Sequence, residues 1–228
     1  MTSRKTAEQL PLAFGHEPAT GRDDLLVAAP VNAAVALVDA WPDWRSPVAV
    51  IAGPVGSGKS HLAAVWREKA GAALVVARPG AGAEEAAARG PVLVEDADRD
   101  GFDDRTLFHM INTVRQNGHT LMMTSRLWPM SWPVTLPDLA SRLKAATVVE
   151  IGEPDDELLS QVIVKLFADR QLFVDDRLVA YIVARMERSL EAAQTLVERL
   201  DRLALSRGSR ITRALARQVL GEMVGGED

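Results

Sequence analysis

Gly53-Pro54-Val55-Gly56-Ser57-Gly58-Lys59-Ser60 stands between a short apolar run, Val48–Ala52, and a segment with helical spacing, Lys59–Ala70. The stretch fits the pattern G-x-x-x-x-G-K-S in full. Each part answers a physical demand. Glycines let backbone N–H groups approach an anion closely. Lys59 has the reach to meet the β and γ oxygens of a nucleotide, and the Ser60 hydroxyl suits Mg2+. A helix beginning at Lys59 turns its positive dipole end toward the same anion. The candidate phosphate-site residues therefore run from Gly53 through Pro54, Val55, Gly56, Ser57, Gly58, Lys59 and Ser60 to His61. A chance match in an ordinary loop would not also sit between a buried strand and a helix.

Working outward, the chain alternates. Helices are expected over 31–41 and 105–116. Strands are expected over 73–77, at Val92–Val94, and over 120–124 and 146–151. Short apolar strands alternating with helices mean a parallel sheet covered on both faces, an α/β fold. After Ile151 the pattern changes. Leu158, Leu159, Val162, Ile163, Leu166 and Phe167 follow helical spacing, as do Leu178, Val179, Ile182, Val183 and Met186. A third set begins at Leu190, and a last helix is expected over 212–223. These residues read as a small helical bundle. The expected boundary is Gly152-Glu153-Pro154, giving a tail over 1–22, a nucleotide-binding base over 23–152 and a helical subdomain over 153–228. Residues 79–90, rich in Ala and Gly, read as a surface helix or loop.

Phosphoryl chemistry needs carboxylates beside the loop, and Val92-Leu93-Val94-Glu95-Asp96 ends a buried strand with two. One carboxylate is expected to hold the shell of Mg2+ and the other to orient water. Glu95 precedes Asp96 here, whereas an aspartate in the first position is usual. The longer Glu95 places its carboxylate less well for the metal, so weak hydrolysis by this chain alone is expected. The plain alternative is two solvated acids at a strand end. Thr124 and Ser125 end the next strand, where a polar group can sense a γ-phosphate or hold water; strand-end hydroxyls are also common without function.

Bulk properties narrow the field. The 228 residues are 47% apolar and 25% charged, as in ordinary globular domains. There is no cysteine, which excludes disulfides, thiolate zinc sites and a cysteine nucleophile. The four histidines are scattered. No apolar run approaches the ~20 residues that span a bilayer, so no membrane association is expected. No signal peptide is legible, and the expected location is cytoplasmic. A net charge of −5 argues against strong direct DNA binding, which needs a basic footprint. One segment departs from it. Between Arg185 and Arg217 eight arginines stand against Glu187, Glu191, Glu198 and Asp201, a local excess of four positive charges. These are either solvated helix faces or a docking face for an acidic partner.

At Leu136-Pro137-Asp138-Leu139-Ala140-Ser141-Arg142-Leu143, taken with the phosphate loop and the helical C-terminal part, the chain resembles the Hda-type, DnaA-related AAA+ regulators of bacterial replication initiation. The resemblance covers nearly the whole chain. It implies a five-stranded AAA+ P-loop base followed by an α-helical lid. It places an arginine finger at Arg142, pointing into a neighbouring subunit's nucleotide site. Arginine suits that task because it is always charged and presents several donors to transition-state oxygens. Arg188, before Ser189 and Leu190, matches the family's lid arginine that contacts nucleotide in cis. The segment from Leu25 to Asn32 matches the one that packs on adenine, which assigns Val27 and Pro30 to that role. The implied ligand is ADP or ATP with Mg2+. The sequence alone leaves Arg142 readable as a surface arginine and Arg188 as a charge at a helix start.

The tail carries a separate signal. Gln9-Leu10-Pro11-Leu12-Ala13-Phe14 resembles the peptide by which many bacterial proteins bind the DNA sliding clamp, the beta subunit of DNA polymerase III. A glutamine amide suits a small polar pocket, while Leu10, Leu12 and Phe14 suit an apolar cleft. Proline keeps the segment extended and lowers the entropy lost on binding. The alternative is a tail anchored on its own core. Together these features lead to the expectation of a nucleotide-bound regulator. It is recruited by the clamp and stimulates ATP hydrolysis by DnaA through Arg142, without the helix-turn-helix reader that follows the lid in DnaA. In that role it activates another ATPase rather than turning over efficiently itself; a homo-oligomer is compatible with it. Two other classes are weighed beside it: an autonomous AAA+ ATPase such as a helicase loader, and a P-loop small-molecule kinase. The loader calls for basic charge with exposed aromatics, yet the aromatic content is 5%. A long helical C-terminal bundle does not suit the kinase.

Overall fold

The computed structural model describes residues 28–76, 82–99 and 103–224. Gln9, Leu10, Leu12, Phe14 and Val27 lie outside the described residues. In chain order the elements are α1 (Asn32–Asp39), β1 (Val48–Ala52), α2 (Lys59–Ala70), β2 (Ala73–Val75), α3 (Ala83–Arg89), β3 (Val92–Val94) and α4 (Asp104–Gln116). There follow β4 (Leu121–Ser125), α5 (Pro137–Lys144), β5 (Thr147–Glu150), α6 (Asp156–Asp169), α7 (Asp176–Val183), α8 (Leu190–Arg207) and α9 (Arg213–Val224).

Among the described residues the strands form one parallel sheet in the order β2-β3-β4-β1-β5. The three inner strands, β3, β4 and β1, are buried along their whole length. Their alternation assigns each side chain to a layer. Val48, Val50, Val92, Val94, Leu121 and Met123 face one way, toward α3, α4 and α5. Ala49, Ile51, Leu93 and Met122 face the other, toward α1 and α2. On that second face Trp66 is fully buried, stacked on Trp44 at 5.4 Å and met edge-on by Trp41 at 6.5 Å. Such aromatic pairs add about 0.5–1.5 kcal/mol beyond their area.

Helices α6 to α9 enclose their own core, with Leu159, Ile163, Phe167, Ile182, Leu196, Val197, Leu200 and Ala216 at its centre. Leu158, on the neighbouring face of α6, packs into the sheet-side core instead. Val162 of α6 and Leu190 at the start of α8 pack against both cores, so these two helices join them. Aspartates or serine cap the starts of these helices: Asp155 accepts from Leu158 N at 2.8 Å, Asp175 from Leu178 N at 2.7 Å, and Ser189 from Ala192 N at 3.2 Å. Each cap contributes about 1 kcal/mol.

The elements differ from the sequence expectations at their ends. The first helix begins at Asn32, after a 3-10 turn at Ala29–Val31, and closes at Asp39 rather than Trp41. Pro42 explains the early stop, because the residue before a proline is pushed out of the helical region. The second strand stops at Val75. Of residues 79–90 the described part holds α3. The segment from Pro137 to Lys144, quoted above only as a motif, is helical; Pro137 sits at its start with Asp138 in the first turn and Arg142 and Lys144 in the last. Proline and acid at the N-terminus and bases at the C-terminus match the helix dipole. No helix among the described residues is long and apolar enough to cross a membrane.

Candidate nucleotide site

The carboxyl ends of β1, β3 and β4 converge on the phosphate loop. Register pairs Ala52 with Ser125 on one side and with Glu150 on the other, so the loop leaves the sheet between two flanking strands. Gly53 N–H donates to Ser125 O at 3.1 Å, tying the root of the loop to β4. Gly58, in the left-handed region at φ +96°, turns the chain into α2 without any side-chain cap. The first amide groups of α2 are thereby left for an anion.

Lys59 is only 7% exposed, and its Nζ donates to Pro54 O at 2.6 Å. Desolvation pulls its pKa below the ordinary lysine range; Asp96 opposes this, Arg126 reinforces it and Asp98 opposes it. A cation held in this way, short of acceptors and shielded from water, is strongly attracted to a phosphate. Ser57, also buried, donates its hydroxyl proton to Pro54 O at 2.9 Å and stiffens the loop. Ser60 is exposed on the first turn of α2, with half-buried His61 beside it, and Val55 projects outward from the tip of the loop.

Asp96 adopts φ +50°, a left-handed conformation that aspartate tolerates better than most residues. Its N–H donates to Thr124 Oγ1 at 3.0 Å, and Ala97 N–H donates to Thr124 O at 2.8 Å. The exit of β3 is thus bolted to the end of β4. The Asp96 carboxylate lies 3.4 Å from Arg99 Nη1. Ser125 is fully buried and donates its hydroxyl proton to Leu127 O at 2.7 Å, so its donor serves the turn after β4.

Asp98 and Arg126 are neighbours of the site that sequence reasoning passed over. Asp98 Oδ2 accepts from both Arg126 N and Leu127 N at 2.9 Å, while its buried Oδ1 has no hydrogen-bond partner among the described residues. It holds the β3 exit and the β4 exit together, and both it and Arg126 act on the charge of Lys59. The signal available was the third acid in Glu95-Asp96-Ala97-Asp98, two residues beyond the expected pair.

Glu95 reaches solvent, yet partial desolvation, and then the charge of Asp96, hold its carboxyl above the ordinary range; Arg67 opposes them. A carboxyl whose folded pKa is raised binds more protons folded than unfolded. Its contribution favours the fold below its ordinary pKa of 4.5 and is lost as pH rises through the raised value. Glu95→Gln is therefore expected to raise Tm at neutral pH, with the gain shrinking as pH falls toward 4.5. Thermal melts of both forms across that range read this directly. A variant melting below wild type at neutral pH would mean that the carboxylate makes a stabilising contact.

The helical region reaches the loop at the start of α8. Leu190 N–H donates to Gly56 O at 2.7 Å, and a Cβ on Gly56 would overlap Ser189. Gly56 also stands at φ +71°, so both backbone and space require glycine there. Arg188, the preceding residue, pairs with Asp156 Oδ1 at 2.7 Å and donates to Pro154 O at 3.3 Å, fastening the start of α8 to that of α6. Pro30 O accepts from Gly152 N at 3.3 Å, which sets the segment before α1 beside the exit of β5. Arg142 lies on the last turn of α5, half-buried, and its guanidinium makes no hydrogen bond or ion pair with any described residue.

A parallel sheet in this strand order, a glycine-rich loop after the inner strand β1 and a C-terminal set of helices define the AAA+ P-loop fold. Three solved structures share this fold. Domain III of the Thermotoga maritima replication initiation protein DnaA superposes with a TM-score of 0.76 at 16% identity, over 92% of this chain and 98% of that one. AMPPCP-bound DnaA from Aquifex aeolicus gives 0.68 at 19% identity, over 84% of this chain and 68% of that one. A Thermotoga maritima RuvB mutant gives 0.69 at 15%, over 89% and 71%. The likeness is one of fold. No protein-family model matches the chain, and no curated protein matches it.

Proposed function

We propose that this chain is a DnaA-related regulator that binds adenine nucleotide and the DNA-loaded sliding clamp and stimulates ATP hydrolysis by DnaA. ADP is the resting ligand in this reading. The phosphates lie against the backbone N–H groups of the glycine loop and the Lys59 ammonium, with Arg188 and Pro30 taking the nucleotide-contacting roles that the resemblance assigns to them. Mg2+ takes one or two protein oxygen ligands and completes its shell with phosphate and water. The Ser60 hydroxyl with one of the two carboxylates, Glu95 or Asp96, would meet that requirement without a dedicated cage. When bound, the ion would neutralise charge on the phosphate oxygens. The structure of Aquifex aeolicus DnaA with AMPPCP supports an adenine nucleotide as the ligand of this fold.

The observation that carries the regulatory part of the reading is Arg142. It ends a helix on the base with no carboxylate of its own to answer its charge among the described residues. In a neighbouring DnaA its guanidinium would stabilise charge on the γ-phosphoryl oxygens as water attacks phosphorus, releasing ADP and phosphate. Gln9, Leu10, Leu12 and Phe14 would hold the chain on the clamp, and so raise its local concentration near DnaA.

The test follows hydrolysis of labelled ATP on DnaA with the clamp already loaded on DNA. The chain is expected to accelerate hydrolysis only when the clamp is present. A form with Gln9, Leu10 and Phe14 replaced by alanine is expected to lose that acceleration while still binding nucleotide. Acceleration that is indifferent to the clamp would remove the recruitment step, and none at all from the nucleotide-loaded chain would remove the regulatory reading.

A further inference from the structure

The arginines between 185 and 217 have no part in the nucleotide chemistry, apart from Arg188. Tyr181 on α7 is the only tyrosine of the chain, and two of these arginines lie over its ring. The Arg185 guanidinium is 4.1 Å from the ring centroid and that of Arg213 is 4.3 Å. Two like charges are thereby held at one spot, where the end of α7 meets the start of α9. Arg185 is compatible with its position, since Nη1 donates to Tyr181 O at 3.3 Å near a helix C-terminus. Arg213 is not, because it opens α9, where the helix dipole disfavours a cation.

The acids of this region are engaged elsewhere or stand apart. Glu198 pairs with Arg202, Asp201 with Arg170 and Asp156 with Arg188. Glu187 and Glu191 form no ion pair among the described residues. Arg185 and Arg213 are both exposed, and neither has a carboxylate partner there. Arg177, four residues before Tyr181 on α7, and Arg217, four after Arg213 on α9, extend the same row of exposed cations.

We propose that this face of α7 and α9, centred on Tyr181 between Arg185 and Arg213, docks an acidic segment of a partner protein. Contact with the ring positions each guanidinium; apart from the Arg185 Nη1–H that meets Tyr181 O, the N–H donors remain for contact with a carboxylate. The charge distribution selects a protein over a nucleic acid. A net charge of −5 overall, with +4 between Arg185 and Arg217, leaves −9 on the rest of the chain. A long polyanion would be repelled by that remainder, whereas a short acidic segment meets only the local basic face. The proposal is independent of the phosphate loop and of Arg142.

The experiment measures fluorescence anisotropy of a labelled glutamate-rich peptide, and separately of a labelled oligothymidylate of equal length, with the full chain. The peptide is expected to bind more tightly than the oligonucleotide, and more weakly as salt is added. Replacing Arg185 and Arg213 together by glutamine is expected to weaken peptide binding about tenfold or more, the loss of two charge-assisted contacts. Tyr181→Phe keeps the ring and is expected to bind as wild type. Thermal melting of the variants confirms that they remain folded. Tighter binding of oligothymidylate with the same arginine dependence would make this a nucleic-acid face and overturn the proposal. Peptide binding that is absent, or unchanged in the double variant, would overturn it as well.

Discussion

Arg142→Ala is expected to lower the stimulated hydrolysis of DnaA-bound ATP by about a thousandfold or more, the worth of an arginine finger supplied in trans. The variant should otherwise look like wild type. The Arg142 guanidinium makes no hydrogen bond or ion pair with a described residue, so removing it deletes no internal polar contact. What it loses locally is a favourable charge in the last turn of α5, a few tenths of a kcal/mol for a partly exposed group. Tm and nucleotide affinity are therefore expected to stay near wild-type values. Arg142→Lys should restore the charge but little of the rate, because an ammonium cannot present the planar fork of donors. The assay is the clamp-dependent hydrolysis described above, with melting and nucleotide binding measured on the same preparations. A variant that stimulates normally would remove Arg142 from the mechanism. A variant that melts much earlier would return it to a structural role.

Lys59→Ala is expected to weaken adenine-nucleotide binding by about a hundredfold, since a hydrogen bond to a charged group contributes about 1.5–3 kcal/mol and the ammonium can make more than one. The expected effect on the unliganded protein points the other way. Burial already disfavours the charged form of Lys59, so its removal relieves a desolvation cost. Pro54 O keeps the Ser57 hydroxyl as a donor after the change, so no carbonyl is orphaned. Unliganded Lys59→Ala should therefore melt at or above the wild-type temperature while failing to be stabilised by ADP. Titration calorimetry and melts with and without ADP separate the two effects. Binding at wild-type strength would displace the nucleotide site from 53–60.

The two variants address different links of one chain of reasoning. Lys59 tests whether the loop holds a nucleotide, and Arg142 tests whether the chain acts on a neighbour's nucleotide. A protein that fails the second and passes the first is still a P-loop nucleotide binder. In that case the unpaired Arg142 would need another explanation.

Much of this was readable in the sequence, and for a local reason. Val48–Ala52, Lys59–Ala70 and Val92–Val94 are found with the boundaries expected from apolar runs, glycines and acids. Those signals act over a few residues: a buried strand must be apolar, a tight anion loop must be rich in glycine, and a helix must start where its first amides are free. The parallel, two-faced sheet followed from the alternation of such segments. Element ends were less legible, as Trp41 and Val76 illustrate.

What only the tertiary structure decided is who meets whom. Nothing in the spacing of Gly56 and Ser189 says that the start of α8 presses on the phosphate loop; the sheet and the shared helix α6 bring them together. The same holds for Asp98, which bridges the ends of β3 and β4, and for Tyr181, which meets Arg213 of a distant helix. Sequence patterns record what each segment needs for its own conformation and burial. Hydrogen bonds and ring contacts between segments far apart in the chain depend on how the two cores are joined, and that is set by packing.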